Sequence, residues 1–438
     1  MKTSSQGRAI ALLPFLLFVA LFVGTGTYLS MQGVDFAFYQ LPAPIAILPA
    51  IVLAVLLSRD KLNETIESFI GGVGDKSIIA MCLIYLLAGA FSSVAKATGG
   101  VDATVALGLS IIPAWFLLPG IFIISGFIAT AMGTSMGTIG AVAPIALGVA
   151  ESAGIPLPLM AGAVLSGATF GDNLSIISDT TIAATRTQGC EMKDKFRENV
   201  SLAIPAALVA ALLFFVLSGE TVAPEQADFA WLSVLPYLTI LALAVYGVNV
   251  FIVLALGLLL AGGVGMSTID DYSLASFVSD IYAGFTSMQE IFLLSLLIGG
   301  LGALMEKQGG LAFIEASVTS IIARLSGGGK DDQRTAELGI ASSVSLTNLC
   351  TANNTVAIIV TGNVAKDMAA NAQVSPKRAA SLLDIFSCIV QGLIPWGAQA
   401  LLLGSIFTLS PLAVVEFSFY PMLLALVALS SIVLKRRK

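Results

Sequence analysis

Residues 171–181 read Gly-Asp-Asn-Leu-Ser-Ile-Ile-Ser-Asp-Thr-Thr: two aspartates, an asparagine and four hydroxyl side chains following an apolar run. Residues 158–170 have the composition of a membrane helix, which places the polar run at membrane depth. An aspartate at the bilayer centre costs ~2.5–3.5 kcal/mol on the insertion scale. Asp172 and Asp179 are therefore expected to face partners, ions or water, and the stretch reads as a break in a spanning helix that forms a site.

The rest of the chain fits a membrane setting. It is 57% apolar and 11% charged, with 42 glycines in 438 residues, and its mean hydropathy is +0.95. This excludes a soluble core and describes an all-α polytopic membrane protein. A formal net charge of −6 leaves no basic surface for nucleic acid, so none is expected as a partner. The four cysteines are scattered and histidine is absent, which removes zinc, haem and imidazole acid–base chemistry. No cofactor and no enzymatic reaction are expected. A proton carried near neutral pH must instead ride on a carboxylate whose pKa is raised by desolvation or by a neighbouring acid. The N-terminus has a basic start, about twenty apolar residues and no small-residue cleavage site, so it reads as a first span rather than a signal peptide.

Charge along the chain suggests the orientation. Arg59, Lys61 and Lys76, then Arg186, Lys193, Lys195 and Arg197, and finally Lys435–Lys438 mark cytoplasmic segments. Glu220, Glu225 and Asp228, and the base-free loop 265–290 with Asp270, Asp271, Asp280 and Glu290, mark external ones. The expected product is a multi-pass protein of the cell (inner) membrane with both termini in the cytoplasm. The pattern occurs twice. Gly99-Gly100 after Lys96 recurs as Gly309-Gly310 after Lys307, a separation of 309 − 99 = 210. Thr134 and Thr138 recur as Thr351 and Thr355, a separation of 351 − 134 = 217. We expect two inverted repeats, 1–219 and 220–438, with about ten full transmembrane helices in all. Each repeat carries one re-entrant hairpin (113–150 and 335–368) and one broken helix (158–190 and 379–408).

Three constellations should meet near mid-membrane. The broken helix offers Asp172, Asn173, Ser175, Ser178, Asp179 and Thr180, a mixture of carboxylate, amide, hydroxyl and freed carbonyl oxygens that suits a hard cation such as sodium, held at Asp172 and Asp179. The bland alternative is that the aspartates cap helix ends or pair with Arg186. The first hairpin tip offers Thr134, Ser135 and Thr138 for a solute, although Gly133 and Gly137 at this spacing also suit plain helix packing. The second tip offers Asn348, Thr351, Asn353, Asn354 and Thr355, where asparagines also serve as turn residues. Asp384, Gln391 and Trp396, on the counterpart of the broken helix, rank lower. Helices restarting after each break aim positive N-termini at one central volume, while helix C-termini and loop carbonyls suit a cation. Residue chemistry alone thus leaves open cation exchange or co-transport of an organic acid or amino acid.

At GDNLSIISDTT and GTSMGTIGAVAPIA, and again at NNTVAIIVTGNVAKDMA, the sequence resembles the NhaC-type sodium/proton antiporter family, part of the wider ion transporter superfamily. The likeness covers most of the chain and implies a ten-span inverted-repeat transporter with a static scaffold and a moving transport part. It implies a cation-handling role for Asp172, Ser175, Ser178, Asp179 and Thr180. The family's usual basic third residue of the motif is Asn173 here. Family members also carry amino acids or hydroxy acids with sodium or protons. The expected partners are therefore the lipid bilayer, sodium and protons; a small amino acid or carboxylate, and a second copy of the chain as a homodimer, remain open. An intramembrane aspartyl protease, the reading from another class, needs its two acids on separate spans, whereas here both fall in one segment.

Overall fold

The structure is a computed structural model that describes residues 7–34, 37, 40–176, 178–218, 230–325 and 333–434. The acidic 220–228 stretch, the 219/220 repeat boundary and the basic Lys435–Lys438 end lie outside the described residues. Among the described residues all regular structure is helical. Seven helices have the length and apolarity to cross a membrane: Ala9–Leu29, Lys76–Ala97, Ala114–Met132, Ser135–Ala153, Met192–Leu217, Val250–Thr268 and Gln289–Lys307. Shorter apolar helices, among them Ala43–Leu57, Trp231–Ala244 and Phe419–Val433, are packed between them, and an estimate of about ten crossings counts some of these.

Helices separate into two packed groups. One contains the hairpin arms Leu117–Met132 and Ser135–Ala153, the half-helices Leu157–Leu174 and Asp179–Gln188, and the corresponding Gln333–Thr351, Asn354–Asn371, Pro376–Gln391 and Ala398–Phe407, flanked by Met192–Leu217 and Phe419–Val433. The other is built on Lys76–Ala97 and Gln289–Lys307. Small residues set the packing distance. The chain at Gly171 lies so close to the carbonyl of Gly126 that any side chain would collide with backbone, which is why the polar motif opens on glycine.

Packing between the halves is reciprocal. Leu62–Val73 lies on Gln289–Lys307, while Leu274–Ser287 lies on Lys76–Ala97. Asn354–Asn371 packs on Asp179–Gln188, and Ser135–Ala153 on Ala398–Phe407. At the centre, Tyr85 Oη is 3.2 Å from Ser295 Oγ, and Cys82 Sγ lies 3.8 Å from the Phe292 carbonyl. Both contacts span 210 residues, the same interval that relates Gly99 to Gly309.

The cytoplasmic segment 59–76 and the external segment 265–290, whose composition suggests loops, contain the helices Leu62–Val73 and Leu274–Ser287. Both are amphipathic, with apolar residues at 62, 66, 69, 70 and 73 and at 274, 277, 278, 281 and 285. They are too short to register as spans, yet their spacing is helical.

The register between the halves also differs from that suggested by the matching threonines. Left-handed corners fall at Gly133 (φ 70°) and Ala352 (φ 49°), Gly154 (φ 68°) and Gln373 (φ 56°), and Gly189 (φ 72°) and Thr408 (φ 53°). Each pair is 219 residues apart (352 − 133 = 219), so Thr134 corresponds to Asn353 and not to Thr351. The helix N-caps agree: the side chains of Thr134 and Asn353 each accept a backbone N–H after the corner. From the corner at Gly154, the arm Ser135–Ala153 has 19 residues and the half-helix Leu157–Leu174 has 18. Nearly equal lengths at ~1.5 Å per residue put the hairpin tip and the helix break at nearly the same depth. In the second half the lengths are 18 and 16 residues, to the same effect.

Candidate functional site

The break in the first broken helix is short. The first half-helix runs to Leu174, so Asp172 and Asn173 occupy its last turn rather than unwound chain. Ser178 caps the restart at Asp179, its hydroxyl accepting the Thr181 N–H. Asp172 is 5% exposed. It accepts a hydrogen bond from Ser135 Oγ at 3.1 Å, which ties the break to the first hairpin tip.

That bond is the end of a directed chain. Gln391 Nε2 donates to the Ala352 carbonyl (3.2 Å) and to Gln399 Oε1 (2.8 Å). Gln399 Nε2 donates to Ser135 Oγ (3.1 Å), which in turn donates to Asp172. From Gln391 through Gln399 and Ser135 each donor points towards the carboxylate, and such chains polarise cooperatively. Among the described residues no lysine or arginine forms an ion pair with Asp172.

Asp172 opens onto a cavity of about 100 Å³. Its walls include Gly133, Thr134 and Ser135 from the first tip, Asn353, Asn354 and Thr355 from the second, Asp179 and Thr180 from the break, and Gln391 and Gln399. The fourth side is Ser77, Ala80, Met81 and Ile84, on a helix of the other group. The space admits several waters and is well below the ~300–1,000 Å³ of pockets that take drug-sized ligands.

The remaining sequence candidates lie elsewhere. Asp179 reaches the cavity but is exposed, so the two aspartates are not an equally submerged pair. Thr138 is buried behind the tip and donates to the Thr134 carbonyl. Asn348 donates to the Ser387 carbonyl at 2.7 Å, and Thr351 to that of Asn353 at 3.2 Å. Thr351 faces a second cavity of about 260 Å³, which also contains Asp75 and Glu306 and shares Asn353 with the first. Ser175 is buried within the break, and Ser178 is engaged with Thr180 and Thr181. Trp396 packs edge-on against Phe15 and donates to the Leu349 carbonyl. The described residues contain no cluster of three or more acidic or cysteine ligands.

Sequence reading missed what lies behind the site. Lys195, taken as a cytoplasmic marker, is fully buried and pairs with buried Asp384 at 2.7 Å. Its spacing from Asn199, followed by Leu202, Ala203 and Ala206, places it on the inward stripe of Met192–Leu217. That i, i+4 pattern was the available signal.

A helical membrane fold whose tips and breaks converge on one buried carboxylate, without an ion-pair partner among the described residues, is of the kind that secondary active transporters use. The comparisons name its kin. A family model described as the Na+/H+ antiporter family matches residues 5–219 and 225–435, and the chain belongs to that family. Similar proteins include the Malate-2H(+)/Na(+)-lactate antiporter of Bacillus subtilis (strain 168), 25% identical over 90% of this chain and 89% of its own length. The Na(+)/H(+) antiporter NhaC of the same organism is 27% identical over 79% of this chain and 81% of its own. The Arginine/ornithine antiporter ArcD of Halobacterium salinarum is 26% identical over 90% and 86%.

Proposed function

We propose that the protein exchanges sodium for protons across the cell membrane, with Asp172 as the group that binds one or the other and Asp179 as a charge at the cavity mouth. The observation that carries this reading is the setting of Asp172: buried, supplied with donors by a directed chain, unpaired with any base among the described residues, and facing a cavity of ion size. Sodium and a proton each neutralise the single negative charge of the carboxylate, so binding of one disfavours binding of the other, and competition at an alternately exposed site couples their fluxes. Thr180, Thr134 and the carbonyls around the break are the further oxygens within the same cavity walls that a sodium ion would draw on. The cavity lies between the two helix groups, where sliding of the hairpin group past Lys76–Ala97 would open it to alternate sides. The reciprocal packing supports an inverted-repeat arrangement, and the exposed Arg186, Lys193 and Arg197 support a cytoplasmic position for that end of the molecule.

The reading is tested in everted membrane vesicles carrying an imposed proton gradient. Sodium should dissipate the gradient in wild-type vesicles and fail to do so with Asp172→Asn; wild-type vesicles indifferent to sodium reject it. A second reading is sodium-coupled movement of a small carboxylate or amino acid, held by Thr134, Ser135, Asn353 and Asn354. It is favoured by the amide-rich second tip and by the organic solutes in the names of two relatives. Proteoliposomes screened with labelled organic and amino acids separate the two: sodium-dependent accumulation of a solute selects the second.

A further inference from the structure

The ammonium of Lys195 holds more than Asp384. It donates to Thr181 Oγ1 at 2.7 Å and to the main-chain carbonyl of Asn173 at 3.2 Å. These two partners stand on opposite sides of the helix break, one in the last turn before it and one in the first turn after it. Asn199, one turn along from Lys195, repeats the arrangement: its Nδ2 reaches the same Asn173 carbonyl at 2.9 Å and Asp384 Oδ2 at 2.7 Å. Asp384 itself belongs to the other broken helix, Pro376–Gln391. Lys195, Asn199, Asn173, Thr181 and Asp384 are all fully buried.

A lysine this deep is expensive, and an ion pair alone does not explain it, because buried pairs are commonly matched in stability by apolar side chains. What an apolar pair could not do is donate at once to a carbonyl freed by the break and to a hydroxyl beyond it. We propose that Lys195 is a positioning residue: anchored by Asp384, it clamps the two ends of the first broken helix and ties them to the second, so that Asp172, one residue before the clamped carbonyl, is held facing the cavity. The inference rests on the cation reading for Asp172 but concerns a residue outside the cavity wall. Its consequence is that cation affinity depends on a group that never touches the cation.

The test uses the full-length protein in proteoliposomes. Lys195→Met combined with Asp384→Asn removes both charges together, avoiding the stranded charge that either substitution alone would leave. The double variant should raise the KM for sodium more than tenfold while kcat stays within about threefold, a split that a general loss of packing does not produce. Asn199→Ala, which removes the bonds to the Asn173 carbonyl and to Asp384, and Thr181→Val, which removes the bond from Lys195 together with those to Ser175 and Ser178, both leave the ion pair and should shift KM in the same direction by about threefold; they serve if the double variant does not fold. A second readout is independent of the ion carried. Ser175→Cys, in the full-length chain lacking its four native cysteines, reports opening of the break by its rate of maleimide labelling, which should rise at least fivefold when the clamp is removed. Wild-type KM and wild-type labelling in these variants overturn the proposal. Accelerated labelling in a protein that never responds to sodium leaves the clamp standing and removes the sodium reading instead.

Discussion

The two breaks share a backbone plan and differ in chemistry. At a register of 219 residues, Asp172 has Gln391 as its counterpart, Ser135 has Asn354, Thr134 has Asn353 and Thr180 has Gln399. All eight line the same cavity. The first half contributes the carboxylates and most of the hydroxyls, whereas the second contributes the amides, the Thr355 hydroxyl and no charge. The shared register brings both tips and both breaks to one cavity, while the difference in side chains leaves one carboxylate buried at its centre. The acid on the second broken helix, Asp384, faces away from the cavity and anchors Lys195. One acid can thus be committed to the ion and the other to the architecture.

The difference is open to attack, most severely at Asp172. Asp172→Asn should lower sodium-dependent exchange by at least about 100-fold, since no other buried acid lines the cavity; retention of a tenth of the activity would move the ion site elsewhere. Exchanging the partners, Asp172→Gln with Gln391→Asp, should restore transport about tenfold above the single variant, because both positions border the same space. No recovery would mean that the halves present their breaks to the cavity unequally. Gly284→Ala drives a methyl group into the Gly89 carbonyl and should destabilise by about 1–3 kcal/mol, read as a lower Tm in detergent. Gly263→Ala, with nothing near its Cβ, serves as the control that should not move. The smallest effect is expected at the exposed acid: Asp179→Asn should raise the sodium KM by about threefold and leave kcat unchanged, as suits a partly solvated charge that attracts without binding alone.

Much of this was legible in the sequence, for physical reasons that also mark where reading stops. An acid in apolar surroundings is costly enough to announce a site, and Gly133 and Gly171 announce a corner and a close approach. Counting charges along the chain ignores which way a helix faces, so Lys195 was grouped with exposed Lys193 and Arg197, although only it shares a stripe with Asn199. Leu62–Val73 and Leu274–Ser287 are too short to span, and their charged and polar faces give them the composition of loops; only the helical spacing of their apolar residues marks them. Matching threonines gave a register two residues off, since a hydroxyl can be replaced while a left-handed corner must be kept. The unequal burial of Asp172 and Asp179 had no sequence signal, because it depends on which distant elements pack against each carboxylate.

The corners themselves are not identical. Where the first tip turns on Gly133, the second turns on Ala352, whose methyl group makes the same left-handed turn less comfortable by roughly 1 kcal/mol. A carrier made of two perfect copies would, when empty, dwell equally on either side of the membrane. A facing that let Ala352 out of its corner would recover that strain, and the same holds for Gln373 and Thr408, which stand where the first half has Gly154 and Gly189.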